Sequence, residues 1–197
     1  MHLPEASIFH MVDESLIQET IRAGFLSKLT IRRVAALVDS AVEAGADAVL
    51  VTCSSIGVAV ELAAQRHDVP VLRVDDAMAI QAVSQAKIIG VLATLRTTLE
   101  PTTDLIRRKA LAAHREVKLV ECLCEDAFPA VMAGDTETHD RLLRKSLMED
   151  LCGVDTIVLS QASMARVVAS LPPGALQADV LSSPELGVLS VRKALKL

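Results

Sequence analysis

Apolar residues run along this chain in short bursts that alternate with stripes at helical spacing. The burst Ala48-Val49-Leu50-Val51 stops at the polar stretch Thr52-Cys53-Ser54-Ser55. Residues 8–12, 70–74, 88–93, 117–123, 156–159 and 179–181 form similar bursts and are predicted as strands. Between them lie helical patterns. Thr30 opens one in which Ile31, Val34, Ala35, Leu37, Val38 and Ala41 share a face, closed by Gly45. Further helices are predicted over 57–66, 76–86, 99–113, 125–133, 136–151 and 163–171, with a terminal helix opened by Pro184. Residues 13–15 (Asp-Glu-Ser) and 172–174 (Pro-Pro-Gly) read as a turn and a loop.

Strands alternating with helices predict an α/β fold with parallel sheet. The strand bursts are continuously apolar, as expected for strands covered on both faces. The pattern also repeats. Asp47-Ala48-Val49-Leu50-Val51-Thr52-Cys53-Ser54-Ser55 is echoed by Asp155-Thr156-Ile157-Val158-Leu159-Ser160-Gln161-Ala162-Ser163. Two similar lobes follow, each flavodoxin-like and related by a pseudo-twofold. Lobe 1 spans 1–86 with the helix 184–197 packing back on it, and lobe 2 spans 87–182. Facing lobes of this kind would place one site in the cleft between them.

Composition narrows the chemistry. Of 197 residues, 51% are apolar and the net charge is -5. Acidic and basic residues are interspersed, and there are three Phe but no Tyr or Trp. Neither a phosphate-neutralising face nor a stacking platform is present, which argues against nucleic acid. No apolar run is long enough to span a bilayer, and the first residues are not a signal peptide, so a cytoplasmic protein is expected. The cysteines Cys53, Cys122, Cys124 and Cys152 and the five histidines make no metal-ligand spacing, so no metal is expected.

Cys53 is the chemical landmark. Ligands bind at the carboxyl ends of parallel strands, and the helix that follows points free N–H groups at the same place. That field would lower the thiol's pKa toward neutrality. A buried core cysteine is the competing reading, and local sequence leaves both open.

At the two echoed segments the chain resembles the aspartate/glutamate/hydantoin racemase superfamily. Matching stretches are Gly45-Ala46-Asp47, the run 88–94 followed by Thr97, Gly134-Asp135 with His139-Asp140, and Ser183-Pro184. The resemblance implies two α/β lobes, no cofactor, and a small carboxylate substrate worked at its α-carbon by a strand-end cysteine from each lobe. Cys53 takes the first of these places. The second is taken by Gln161, an amide that does not transfer protons near neutral pH. Lobe 1 also begins without the strand that opens such lobes. The exposed sheet this leaves predicts a homodimer or higher homo-oligomer.

The same resemblance places Thr52, Ser54, Ser55, Thr94, Thr97, Gln161, Ala162 and Ser163 around the substrate, with His10 and Asp13 as further candidates. Each has a plainer reading beside it. Thr94, Thr97 and Ser163 suit helix caps, and Asp13 and Ser15 suit capping better than catalysis. One of Asp75 and Asp76 fits a cap for the helix that follows. His139-Asp140 with Arg141 and Arg144 reads as a solvated face or a subunit contact. Arg73 and Arg96 suit either a carboxylate fork or surface pairing. The reactions in view are racemisation, one-cysteine decarboxylation or isomerisation of the arylmalonate decarboxylase or maleate isomerase type, and carboxylate binding without turnover.

Overall fold

The computed structural model describes residues 2–197. The chain clusters into two compact units, one holding the chain through Ala77 together with Pro184–Leu197, the other Met78–Ser183. The division falls between Ala77 and Met78, whereas the sequence pattern placed it between residues 86 and 87. Both units are α/β with parallel pairing.

The first unit opens with helices α1 (Glu14–Ala23) and α2 (Lys28–Glu43). The Asp13 side chain accepts from the Ser15 N–H to cap α1, and Ser27 does the same for α2 through the Thr30 N–H. Gly45, at φ 89°, closes α2 with Gly45 N–H and Ala46 N–H bonded back to Val42 and Ala41 carbonyls. Strand β1 (Val49–Val51) then leads into a 3-10 turn, Ser54–Ile56, and helix α3 (Gly57–Ala64). Strand β2 (Val71–Arg73) pairs parallel with β1, Val51 opposite Arg73, and the Val74 N–H continues the ladder to the Val51 carbonyl at 3.1 Å. Leu16, Val34, Val38, Ile56, Val60 and Val71 form the core.

Two expectations fail here. Residues 8–12 are not a strand, and α1 occupies a stretch whose start was read as a turn. A strand needs a ladder partner, and among the described residues none pairs with 8–12; Ile8, Phe9, Met11 and Val12 are exposed. Asp13 and Glu14 looked like turn residues because an N-cap and an acidic first turn have the same composition as a turn.

The second unit holds most of α4 (Asp76–Gln85), then β3 (Ile88–Ala93), α5 (Arg96–Ala112), β4 (Lys118–Leu123), α6 (Ala127–Met132) and α7 (Thr136–Lys145). A π-type turn, Ser146–Asp150, prolongs α7, followed by β5 (Thr156–Leu159), α8 (Met164–Ala169) and β6 (Asp179–Ser182). The sheet order is β4-β3-β5-β6, all parallel. The chain therefore crosses from β3 to one side and later returns to the other, making β3/β5 the topological switch point. Leu92, Leu143, Leu147, Leu151, Ile157 and Leu159 are fully buried at its core. Asp155 accepts from the N–H groups of Ile88 (2.8 Å) and Lys87 (2.9 Å), tying the starts of β5 and β3 together; these donors hold its carboxyl below the usual range. No helix among the described residues is long and apolar enough to cross a membrane.

The terminal helix α9 (Ser183–Leu195) packs on the first unit through Gly187, where an added Cβ would lie 2.7 Å from Val74 Cγ2 and 2.9 Å from the Val74 carbonyl oxygen. Backbone cannot yield as a flexible side chain does. Gly187→Ala is therefore expected to destabilise the protein by about 1–3 kcal/mol. A melting temperature equal to that of the wild type would contradict this packing.

Candidate functional site

Each unit carries candidate residues at its own strand ends. In the first unit Cys53 leaves β1 in extended conformation (φ -122°, ψ 111°) at the head of the 3-10 turn. The Ser55 and Ile56 N–H groups approach its sulfur and favour the thiolate, without closing into a cap hydrogen bond. The Ser55 hydroxyl adds to them. Ser54 and Ser55 are buried and Thr52 is exposed. The expected lowering of the thiol pKa is reversed. Burial, the largest effect, pushes Cys53 up and outweighs the N–H groups, with a smaller rise added by Asp75. The donors at a short 3-10 turn cannot compensate for the water lost.

Beside Cys53 lies a feature the sequence reading missed. Arg73, 4% exposed, forks onto Asp75, 0% exposed, with Nε–Oδ1 at 2.9 Å and the second pair at 2.8 Å. Its remaining nitrogen donates to Glu61 at 2.5 Å. The guanidinium lies against the Cα of Gly57, where a Cβ would collide with it. Neither surface pairing nor a free carboxylate fork describes Arg73, and Asp75 is engaged in this pair. The signal available was Arg73 and Asp75 at i, i+2 in an otherwise apolar strand, hence on one face.

In the second unit the switch point brings together Thr94, after β3, and Gln161, after β5. The Gln161 carbonyl oxygen accepts from both the Thr94 N–H (2.8 Å) and its hydroxyl (3.0 Å). Thr94 therefore does not cap α5, whose N-cap is Leu95 with no side-chain bond. The Thr97 Oγ1 and Ser160 Oγ are buried with no hydrogen-bond partner. Ala162 and Ser163 are exposed, and Ser163 stands in helical conformation before α8 without capping it. Thr94, Thr97, Ser160 and Gln161 are all un-ionised near neutrality, so this strand end can bind an anion by donors but cannot move a proton.

Other candidates fall elsewhere. His10 is exposed on the irregular 8–12 segment, and Asp13 caps α1 while pairing with Arg33 at 2.6 Å. Arg96 is exposed, with Glu100 and Glu125 each 3.7 Å away. His139 is not on a solvated face: it is 2% exposed, with Nδ1 2.8 Å from Asp140, whose carboxylate takes a fork from Arg166 (2.6 and 2.7 Å). Arg166 and then His139 hold the Asp140 carboxyl below its usual range. An open cavity of about 290 Å³ lies at the end of β4, lined by Cys124, Glu125, Asp126, Lys145, Ser146 and Asp150 among others. No set of His, Cys, Asp and Glu among the described residues could hold a metal ion.

Two measurements check this geometry. Because Cys53 is raised, its thiolate is scarce at pH 7; alkylation by iodoacetamide should gain its full rate only above the ordinary thiol range, about pH 8.5. A Cys53 that reacts fully at neutral pH would contradict the burial argument. Gln161→Leu strips two donors of Thr94 of their acceptor, so a loss of about 1–3 kcal/mol is expected in denaturant unfolding. An unchanged midpoint would show that the link between the strand ends contributes nothing.

The chain is similar in fold to solved racemases. Glutamate racemase RacE1 from Bacillus anthracis is 20% identical with a TM-score of 0.61, covering 84% of this chain and 65% of its own. Glutamate racemase from Francisella tularensis subsp. tularensis SCHU S4, in complex with D-glutamate, is 17% identical with a TM-score of 0.65, over 86% of this chain and 65% of its own. Allantoin racemase from Klebsiella pneumoniae is 18% identical with a TM-score of 0.58, over 85% and 66%. The chain thus spans just under two-thirds of the length of these relatives. No curated protein matches it. The family model for Asp/Glu/hydantoin racemases matches residues 1–191, so the chain belongs to that family.

Proposed function

We propose that this protein acts on a small carboxylate at its α-carbon by cofactor-independent proton transfer, with Cys53 as the group that moves the proton. One observation carries the reading: a thiol at a parallel strand end, with the Ser55 and Ile56 N–H groups and the Ser55 hydroxyl gathered at its sulfur. These donors steady the thiolate that forms when Cys53 gives up its proton. Donors of the same kind steady an enolate-like charge, where each preorganised one is worth about 3–4 kcal/mol. Thr52, Ser54 and Ser55 surround the thiol in the chain, and Thr94, Thr97, Gln161, Ala162 and Ser163 offer hydroxyl, amide or backbone donors suited to a carboxylate.

A specific observation favours a second reading, one-sided chemistry of the decarboxylase or isomerase type. Racemisation by two bases needs a second proton carrier, and Gln161 has its carbonyl fixed by Thr94 and no ionisable group. A single thiol suffices to protonate the carbanion left when a malonate-type acid loses carbon dioxide. Cys53 then becomes the thiolate and regains its proton from water.

The experiment is α-deuterium uptake in heavy water across small amino acids, hydantoins and malonate-type acids, followed by NMR. Wild type is expected to label at least one substrate, with Cys53→Ala slower by about 100-fold or more. Equal rates in the variant would remove Cys53 from the mechanism. Label in both enantiomers marks racemisation; label in one, or carbon dioxide release, marks the one-sided reaction. No labelling and no turnover by the wild type would leave a carboxylate-binding protein.

A further inference from the structure

We propose that Asp75, fixed by Arg73, is a positioning residue for Cys53: its carboxylate is held at the adjoining strand end, where it reinforces the effect of burial in favouring the neutral, proton-giving thiol. This rests on the reading of Cys53 as the proton carrier, yet it is testable without substrate.

The geometry begins with register. Val51 lies opposite Arg73, and the ladder continues through the Val74 N–H to the Val51 carbonyl. Cys53 and Asp75 each follow two residues on, which sets both at the same carboxyl end of the β1–β2 pair. Asp75 cannot swing away, because both its oxygens are taken by the Arg73 fork at 2.9 and 2.8 Å. Arg73 is in turn fixed by Glu61 on α3 and by the flat approach to Gly57, the first residue of that helix. The ion pair is thereby locked to the helix that follows Cys53.

The charges around Cys53 are few. Asp75 opposes the thiolate from the turn after β2. Glu61, on α3, is bound by Arg73, and Asp76 opens α4. On α1 and α2, which pack against the 3-10 turn, Asp13 and Arg33 are engaged with each other. A buried ion pair adds little stability over an apolar pair of the same volume, so its place beside a thiol is what gives it consequence. A neutral thiol donates a proton at once, whereas a resting thiolate would first have to gain one.

The test follows iodoacetamide alkylation of the Cys53 peptide by mass spectrometry across pH, with exposed Cys152 as the internal reference. The proteins are wild type, Asp75→Asn, Arg73→Gln and the double variant. Asp75→Asn should move the Cys53 profile to lower pH, alkylating about two- to threefold faster at pH 7. Arg73→Gln leaves Asp75 unopposed and should move the profile the other way. The double variant, which removes both buried charges and leaves only the partly exposed Glu61 without Arg73, should move it to lower pH by less than Asp75→Asn and leave the alkaline plateau unchanged. A merely structural pair would, when lost, loosen the site and raise the alkaline plateau in every variant without moving the midpoint. That result, or a double variant whose midpoint matches the wild type, overturns the assignment. Deuterium uptake abolished by Cys53→Ala alongside an unmoved profile would reject Asp75 and retain Cys53. A moved profile with no uptake in the wild type would do the reverse.

Discussion

Parallel pairing of strands, buried along nearly their whole length in β3 and β5, constrains everything else in this protein. Parallel strands need crossover helices, and those helices cover the sheet, so its interior tolerates almost no polar side chain. Chemistry is pushed to the carboxyl ends, where strands stop and helices begin with unbonded N–H groups. Cys53, Thr94 and Gln161 all stand there. In the second unit the order β4-β3-β5-β6 adds a switch point, and Thr94 and Gln161 meet across it.

The two units use this constraint differently. The first admits one exception to the apolar rule, the Arg73–Asp75 pair, and must bury it with every strong donor and acceptor matched. Its cost is met by the fork geometry and by Gly57, which clears room for the guanidinium. The thiol beside it is thereby held in a dry, negatively biased place, opposite to the activated thiolate that a helix start alone suggests. In the second unit the strand ends are neutral. Gln161 links two strands instead of carrying a proton, and two hydroxyls, on Thr97 and Ser160, are buried without partners. Buried hydroxyls of this kind are uncommon in folded proteins and gather where binding takes precedence over local stability.

The same burial separates residues that look alike on paper. His139 and His10 are both histidines outside any metal-ligand spacing. One is enclosed and chained through Asp140 to Arg166, the other exposed on a segment that pairs with nothing. Arg73 and Arg96 both carry a fork. One is buried and occupied, while the other is exposed with carboxylates at 3.7 Å.

The sequence by itself determined the alternation of strands and helices, the parallel α/β class, the internal echo, and the placing of Cys53 and Gln161 at matched strand ends. These follow from local periodicity and from helix-ending residues such as Gly45, whose effect reaches only a few positions along the chain. Tertiary structure alone decided that residues 8–12 pair with nothing, that residue 14 begins a helix, and that Arg73 faces inward to Asp75. It also reversed the expected proton affinity of Cys53. Each of these depends on a partner distant in sequence or on water excluded by the whole unit. Desolvation and ladder pairing are properties of the packed chain, and no window of neighbouring residues records them.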